Sequence, residues 1–133
     1  MPTVIVNVDQ LDHTASQGTS RNHTLIMDRP EAKGGQNKGP MGGEALLMGL
    51  GGCFMSNLFA AANSRGIQIT NAKAEIKGEL AEKRSIYTDI HMKVSADCSA
   101  PQQLSKLVTI AERGCIAANT LGKALNLTVE CAG

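Results

Sequence analysis

The sequence predicts an α+β fold, and three observations carry that expectation. Apolar and polar residues alternate, as in half-buried strands, in the first third, in the middle and again near the C-terminus. Between the first two of these regions lies a stretch without charge, Ala45 to Ala62, whose large apolar side chains recur at helical steps. A second helical pattern, from Pro101 to Leu121, separates the middle region from the last one.

Taken in order, Val4, Val6 and Val8 share one side of a first strand, and Leu25 and Met27 share one side of another. The polar, small residues from Thr14 to Ser20 read as the turn between them. GGQNKGPMGG, residues 34–43, follows as an irregular loop; it lacks the Gly-Lys-Ser/Thr ending that a phosphate-binding loop needs. The uncharged helix then carries Leu47, Leu50, Phe54, Leu58 and Ala61 as one stripe, with Ser56 and Asn57 as its clearly polar residues. Glu44 suits its N-terminus, and Arg65-Gly66 supplies a stop. Its length is marginal for a membrane span. Gly49, Gly51 and Gly52 with the polar pair favour a buried helix instead, one that a chain of this size covers with a partner subunit.

Ala72, Ala74 and Ile76 alternate with Lys73, Glu75 and Lys77; Ile86, Thr88, Ile90, Met92 and Val94 alternate with Asp89, His91, Lys93 and Ser95. These predict two long strands of an antiparallel sheet covered on one side. Ser99 as cap, Pro101 in the first turn and Leu104, Leu107, Val108 and Ala111 as stripe predict the next helix. Gly114 interrupts it, Cys115 to Leu121 form a second short helix, and Leu125 to Cys131 close the sheet.

Size bounds the rest. The 133 residues suit one domain, 1–133. Thirteen basic against twelve acidic residues leave a net charge of +1, so neither nucleic acid nor an acidic membrane surface is the expected partner. An aromatic content of 2% leaves no platform for stacking bases. The N-terminal MPTVIVNVDQ lacks the basic start and apolar run of a signal peptide, so a cytoplasmic protein with four reduced cysteines is expected.

Cys53 follows Gly51-Gly52 in the middle of the uncharged helix. Glycine costs a helix ~1 kcal/mol relative to alanine, so this pair invites a reason. Either another backbone or a small oxidant approaches there, or the glycines mark a tight crossing around an inert thiol. Cys115 follows a glycine at a helix start, where free N–H groups favour a thiolate; simple packing at a helix junction is the alternative. Cys98, in Asp97-Cys98-Ser99, reads as incidental, and Cys131 as a core residue beside Leu127 and Val129. No cysteines stand at CxxC spacing, and His13, His23 and His91 form no close pair, so no metal or other cofactor is expected. His91 reads as a solvated residue on a strand's polar face.

These residues resemble a known family. Gly34-Gly35, Gly39-Pro40, Glu44-Ala45-Leu46-Leu47 and Leu50-Gly51-Gly52-Cys53 look like the entry into the central helix of OsmC/Ohr proteins. Ala111-Glu112-Arg113-Gly114-Cys115 with Asn119-Thr120-Leu121 resembles the family's second cysteine segment. The likeness runs from about Leu25 to Val129. It implies an intertwined homodimer with antiparallel sheets wrapped around central buried helices. It also implies a redox pair, in which Cys53 attacks an organic hydroperoxide, Cys115 closes a disulfide and an external dithiol restores both thiols.

In the family's peroxidases a glutamate ten positions before the cysteine holds an arginine beside the thiolate. Here Gly43 occupies that place. Glu44 is one residue nearer, and nine steps of about 100° turn it half a turn away from Cys53. Arg21 and Arg29 are the upstream arginines, with Arg21 the candidate cation. Gly42 replaces a proline at the helix entrance, and Ile116 replaces the proline often found after the second cysteine. These departures suit the less characterised OsmC-like branch. Two functions follow: a thiol peroxidase for organic hydroperoxides, or a non-enzymatic dimer that binds a small apolar ligand or senses oxidants through its thiols. A cation beside Cys53 is the feature expected to separate them.

Overall fold

The computed structural model describes residues 2–132, and the chain gathers into two compact units, Met1–Leu46 and Leu47–Gly133. The first unit is built on an antiparallel sheet of three strands in the order β1 (Asn7–Asp12), β2 (Ala15–Ser20), β3 (His23–Met27). Its turns are tight, and His13 and Arg21 take left-handed backbone angles in them, φ 48° and 56°. Residues 14–20 are thus not the turn that their composition suggests; most of them form the central strand. Ser16, Gln17, Gly18, Thr19 and Ser20 carry no apolar alternation because pairing on both edges, not a buried face, makes them a strand. Val4 and Val6 precede β1 and are exposed.

Asp28 organises the glycine-rich loop. It is 5% exposed, and its carboxylate accepts from the Thr14 hydroxyl at 2.8 Å and from the N–H groups of Arg29 (2.7 Å), Gln36 (3.1 Å) and Lys38 (3.3 Å). Burial pushes this carboxyl up, but those hydrogen bonds outweigh it and hold it below the usual carboxylate range. The folded loop passes so close to β3 that a Cβ on Gly39 would stand 2.2 Å from the Ile26 carbonyl oxygen, so only glycine fits.

Helix α1 (Gly42–Asn63) starts three residues before the expected Ala45. Glu44 explains the start: its carboxylate reaches back to accept from the Met41 N–H at 2.8 Å, half of a capping box. The helix is long and apolar enough to cross a membrane by length and composition. Leu50, Phe54 and Leu58 are nevertheless fully buried in the protein's own core, while Met48 and Phe59 stand exposed. The chain by itself therefore buries one stripe of α1 rather than nearly all its sides.

In the second unit, β4 (Ile69–Leu80) and β5 (Tyr87–Cys98) pair antiparallel, as expected, across a connection too short for a parallel crossover. Ile90, Met92 and Val94 face the core, and α1 crosses the same face of the sheet. A Cβ on Gly51 would stand 2.8 Å from Ile76 Cδ1, so that glycine serves helix–sheet packing, whereas Gly52 faces open space. After a 3-10 turn at Pro101–Gln103 come α2 (Leu104–Arg113) and α3 (Ile116–Leu121). Ser99 does not cap α2; its hydroxyl accepts from the Gln68 N–H at 2.9 Å. The last strand, β6 (Asn126–Cys131), closes the sheet parallel to β5, not antiparallel. Helices α2 and α3 make the crossover that a parallel neighbour requires.

Candidate functional site

Cys53 and Cys115 meet within the second unit. Cys53 is half buried midway along α1, and Cys115 is fully buried at the start of α3. An α-helix leaves its first N–H groups without intrahelical acceptors, and here sulfur takes them. Cys115 is the N-cap residue, extended at φ −83° and ψ 112°, and its Sγ accepts from the Ala118 N–H at 3.4 Å. The N–H groups of Ile116 and Ala117 and the Cys115 thiol lie on the side of the Cys53 sulfur, where they favour its anion. The first regular helical bond of α3 is Asn119 N–H to Cys115 O, 2.9 Å.

This arrangement splits the two thiols. Burial alone pushes Cys53 up, but the Ala117 N–H, the Cys115 S–H and the Ile116 N–H outweigh it and leave Cys53 below an ordinary thiol. Cys115 moves the other way. Burial pushes it up most strongly, the Ala118 and Ala117 N–H groups pull down, and donation to an anionic Cys53 holds its proton in place. One thiol ionises early and the other stays protonated. Backbone N–H groups and a neighbouring thiol, not a charged side chain, bring this about.

Asn57 joins the two segments. Its Nδ2 donates to the Cys53 carbonyl oxygen at 3.1 Å, one turn back on α1, and to the Gly114 carbonyl oxygen at 3.2 Å. Gly114 immediately precedes Cys115. The sequence reading passed over Asn57, although a polar residue one turn after a cysteine in an uncharged helix is the signal that marks it.

The other candidates belong to other elements. Arg21 is exposed on the turn between β2 and β3, in the first unit. Glu44 caps α1 through Met41, also in the first unit. Cys98 is not in a loop but ends β5, where its thiol donates to the Ala100 carbonyl at 3.2 Å. Cys131 lies on the core side of β6. His91 is on the polar face of β5 and is held there, its ring bonded to the Thr128 hydroxyl and, at 2.8 Å, to the Glu130 carboxylate. Among the described residues, no three His, Cys, Asp or Glu side chains group as metal ligands.

Comparison with known proteins places the chain in a family. The OsmC-like protein family profile matches residues 35–130. No curated protein matches the sequence. Among solved structures, the chain is similar to an OsmC-like protein from Mycoplasma pneumoniae, with a TM-score of 0.84 at 17% identity, covering 98% of this chain and 96% of that one. It is similar to a hypothetical protein from Aquifex aeolicus at 0.81 and 18%, covering 98% and 96%. The organic hydroperoxide resistance protein OhrB of Bacillus subtilis gives 0.66 at 17%, covering 97% of each chain. With the profile spanning most of the chain and the fold shared over nearly all of it, the chain belongs to the OsmC-like protein family.

Proposed function

We propose that this protein reduces organic hydroperoxides through a Cys53/Cys115 thiol–disulfide cycle. One observation carries the reading: Cys53, half buried on α1, packs into the same cluster as a second, fully buried thiol, Cys115, at the start of α3, where its surroundings hold Cys53 below an ordinary thiol. A thiolate is the nucleophile in sulfur chemistry, and a protonated neighbour is the partner it needs next.

The steps balance. The Cys53 thiolate attacks the terminal peroxide oxygen, the O–O bond breaks, and the alkoxide takes a proton to leave as alcohol. Cys53 becomes a sulfenic acid. The Cys115 sulfur then displaces its hydroxyl, releasing water and forming the disulfide. An external dithiol reduces that disulfide by exchange and is itself oxidised. The substrate class is suggested by relatives of the same fold that bear the name organic hydroperoxide resistance protein. A reducing compartment such as the cytoplasm suits four free thiols. Arg21 is the candidate for a cation acting on the peroxide. A loss of turnover in Arg21→Ala with unchanged Cys53 alkylation would support that role.

The assay is consumption of an organic hydroperoxide with several dithiols, comparing wild type with Cys53→Ser and Cys115→Ser. Turnover is expected in the wild type alone, and peptide mapping after mild oxidation should find one Cys53–Cys115 disulfide with Cys98 and Cys131 free. A single oxidation event with no turnover in any dithiol would instead identify an oxidant sensor. Cys98 or Cys131 as the main partner of Cys53 would overturn the pair.

A further inference from the structure

We propose that Asn57 is the positioning residue of the thiol pair, its amide clamping the α2–α3 junction at Gly114 to the Cys53 turn of α1. The inference rests on the reading of Cys53 and Cys115 as a redox pair, and it goes beyond naming the two sulfurs.

Cys53 and the groups that act on it come from segments far apart in the chain. Their alignment is a tertiary matter, since nothing local fixes α3 against α1. A backbone N–H bond to sulfur weakens steeply with misalignment, so the junction needs a tie close to the thiols. Asn57 makes that tie with both of its N–H donors, to Cys53 O at 3.1 Å and to Gly114 O at 3.2 Å. Both partners are carbonyl oxygens, so only the amide nitrogen can face them. One bond anchors the side chain to the turn that carries Cys53; the other holds the residue just before Cys115. The chain also has an internal contrast. Asn119 Nδ2 donates to Arg113 O at 3.0 Å, a bond of the same type that stays within the α2–α3 segment. It stiffens the junction without tying it to α1.

The test uses the full-length protein and needs no peroxide for its first readout. The rate of Cys53 alkylation by iodoacetamide is followed against pH by peptide mass spectrometry in wild type, Asn57→Leu, Asn57→Ala, Asn57→Gln and Asn119→Ala. Leucine keeps the four heavy atoms and the branch at Cγ and favours the helix, and alanine provides a second route should the bulkier leucine fail to fold. Both should slow alkylation at neutral pH by about fivefold or more, as the thiolate fraction falls, and shift the profile to higher pH. Asn57→Gln, which keeps two donors, should recover part of the loss, and Asn119→Ala should match wild type. In a second readout, one equivalent of hydroperoxide should leave a longer-lived, trappable Cys53 sulfenic acid in Asn57→Leu, because Cys115 is no longer held in place. A purely structural asparagine predicts lower melting temperatures with a superimposable alkylation profile, and that result overturns the assignment. A lowered wild-type profile without peroxide turnover would sink the peroxidase reading and leave the Asn57 comparison decisive. A wild-type profile like that of a free thiol would overturn both.

Discussion

At the scale of single residues, Cys53 is held below an ordinary thiol by donors from the backbone and from Cys115. The N–H of Ile116 is one of them, and Ile116 occupies the first position of α3 with its side chain 77% exposed. Proline is well accepted at that position, and the preceding Cys115 already has the extended backbone that proline requires. Ile116→Pro should therefore fold normally, with stability changed by no more than about 1 kcal/mol, while losing one donor to sulfur. The pH profile of Cys53 alkylation should move upward, and an unmoved profile would show that Ile116 contributes nothing. Cys53 should also be alkylated at pH values below the ordinary thiol range, since a depressed thiol is already ionised there. Both cysteines were legible in the sequence through the motifs around them. Their activation was legible only in part: the free N–H groups at the helix start were expected to lower Cys115, but burial raises that thiol and the N–H groups of Ile116 and Ala117 lower Cys53 instead.

Individual elements show where periodicity succeeds and fails. The stripe of α1 and the faces of β4 and β5 follow directly from their apolar spacing, because one side of each is buried. Strand β2 was hidden because small polar residues bury little. The direction of β6 was hidden because alternation is the same for parallel and antiparallel neighbours. Two elements lend themselves to test. Glu44→Gln keeps an oxygen for the Met41 N–H and loses only charge at the start of α1, which should cost up to about 1 kcal/mol. Peroxide turnover should change less than tenfold, or about 1.4 kcal/mol of barrier; a loss of several orders of magnitude would show that Glu44 acts on the chemistry. Asp28→Asn puts an amide donor where three N–H groups and a hydroxyl seek acceptors, so hydrogen exchange across residues 29–38 should rise. The native carboxyl is depressed, so its stabilisation is present above the unfolded carboxylate range and fades as pH falls through the folded value. Acid should therefore loosen this loop in the wild type, and exchange in the variant should lack that acid dependence.

For the whole molecule, Met48, Phe59 and Ile116 are exposed apolar residues of the second unit, by 59%, 48% and 77%. The homodimer that the family resemblance implies is expected to cover such residues. Light scattering should report twice the chain mass, and the unfolding midpoint should rise with protomer concentration. A stable folded monomer at low micromolar concentration would refute it. Cys53 leaves the ribosome with α1, whereas Ile116 and Ala117 follow only after β4, β5 and α2. Until those late N–H groups close over the sulfur, Cys53 is an ordinary thiol, largely protonated at neutral pH. On the proposed function, the nascent thiol reacts slowly with peroxide, and its reactivity rises as the last third of the chain falls into place.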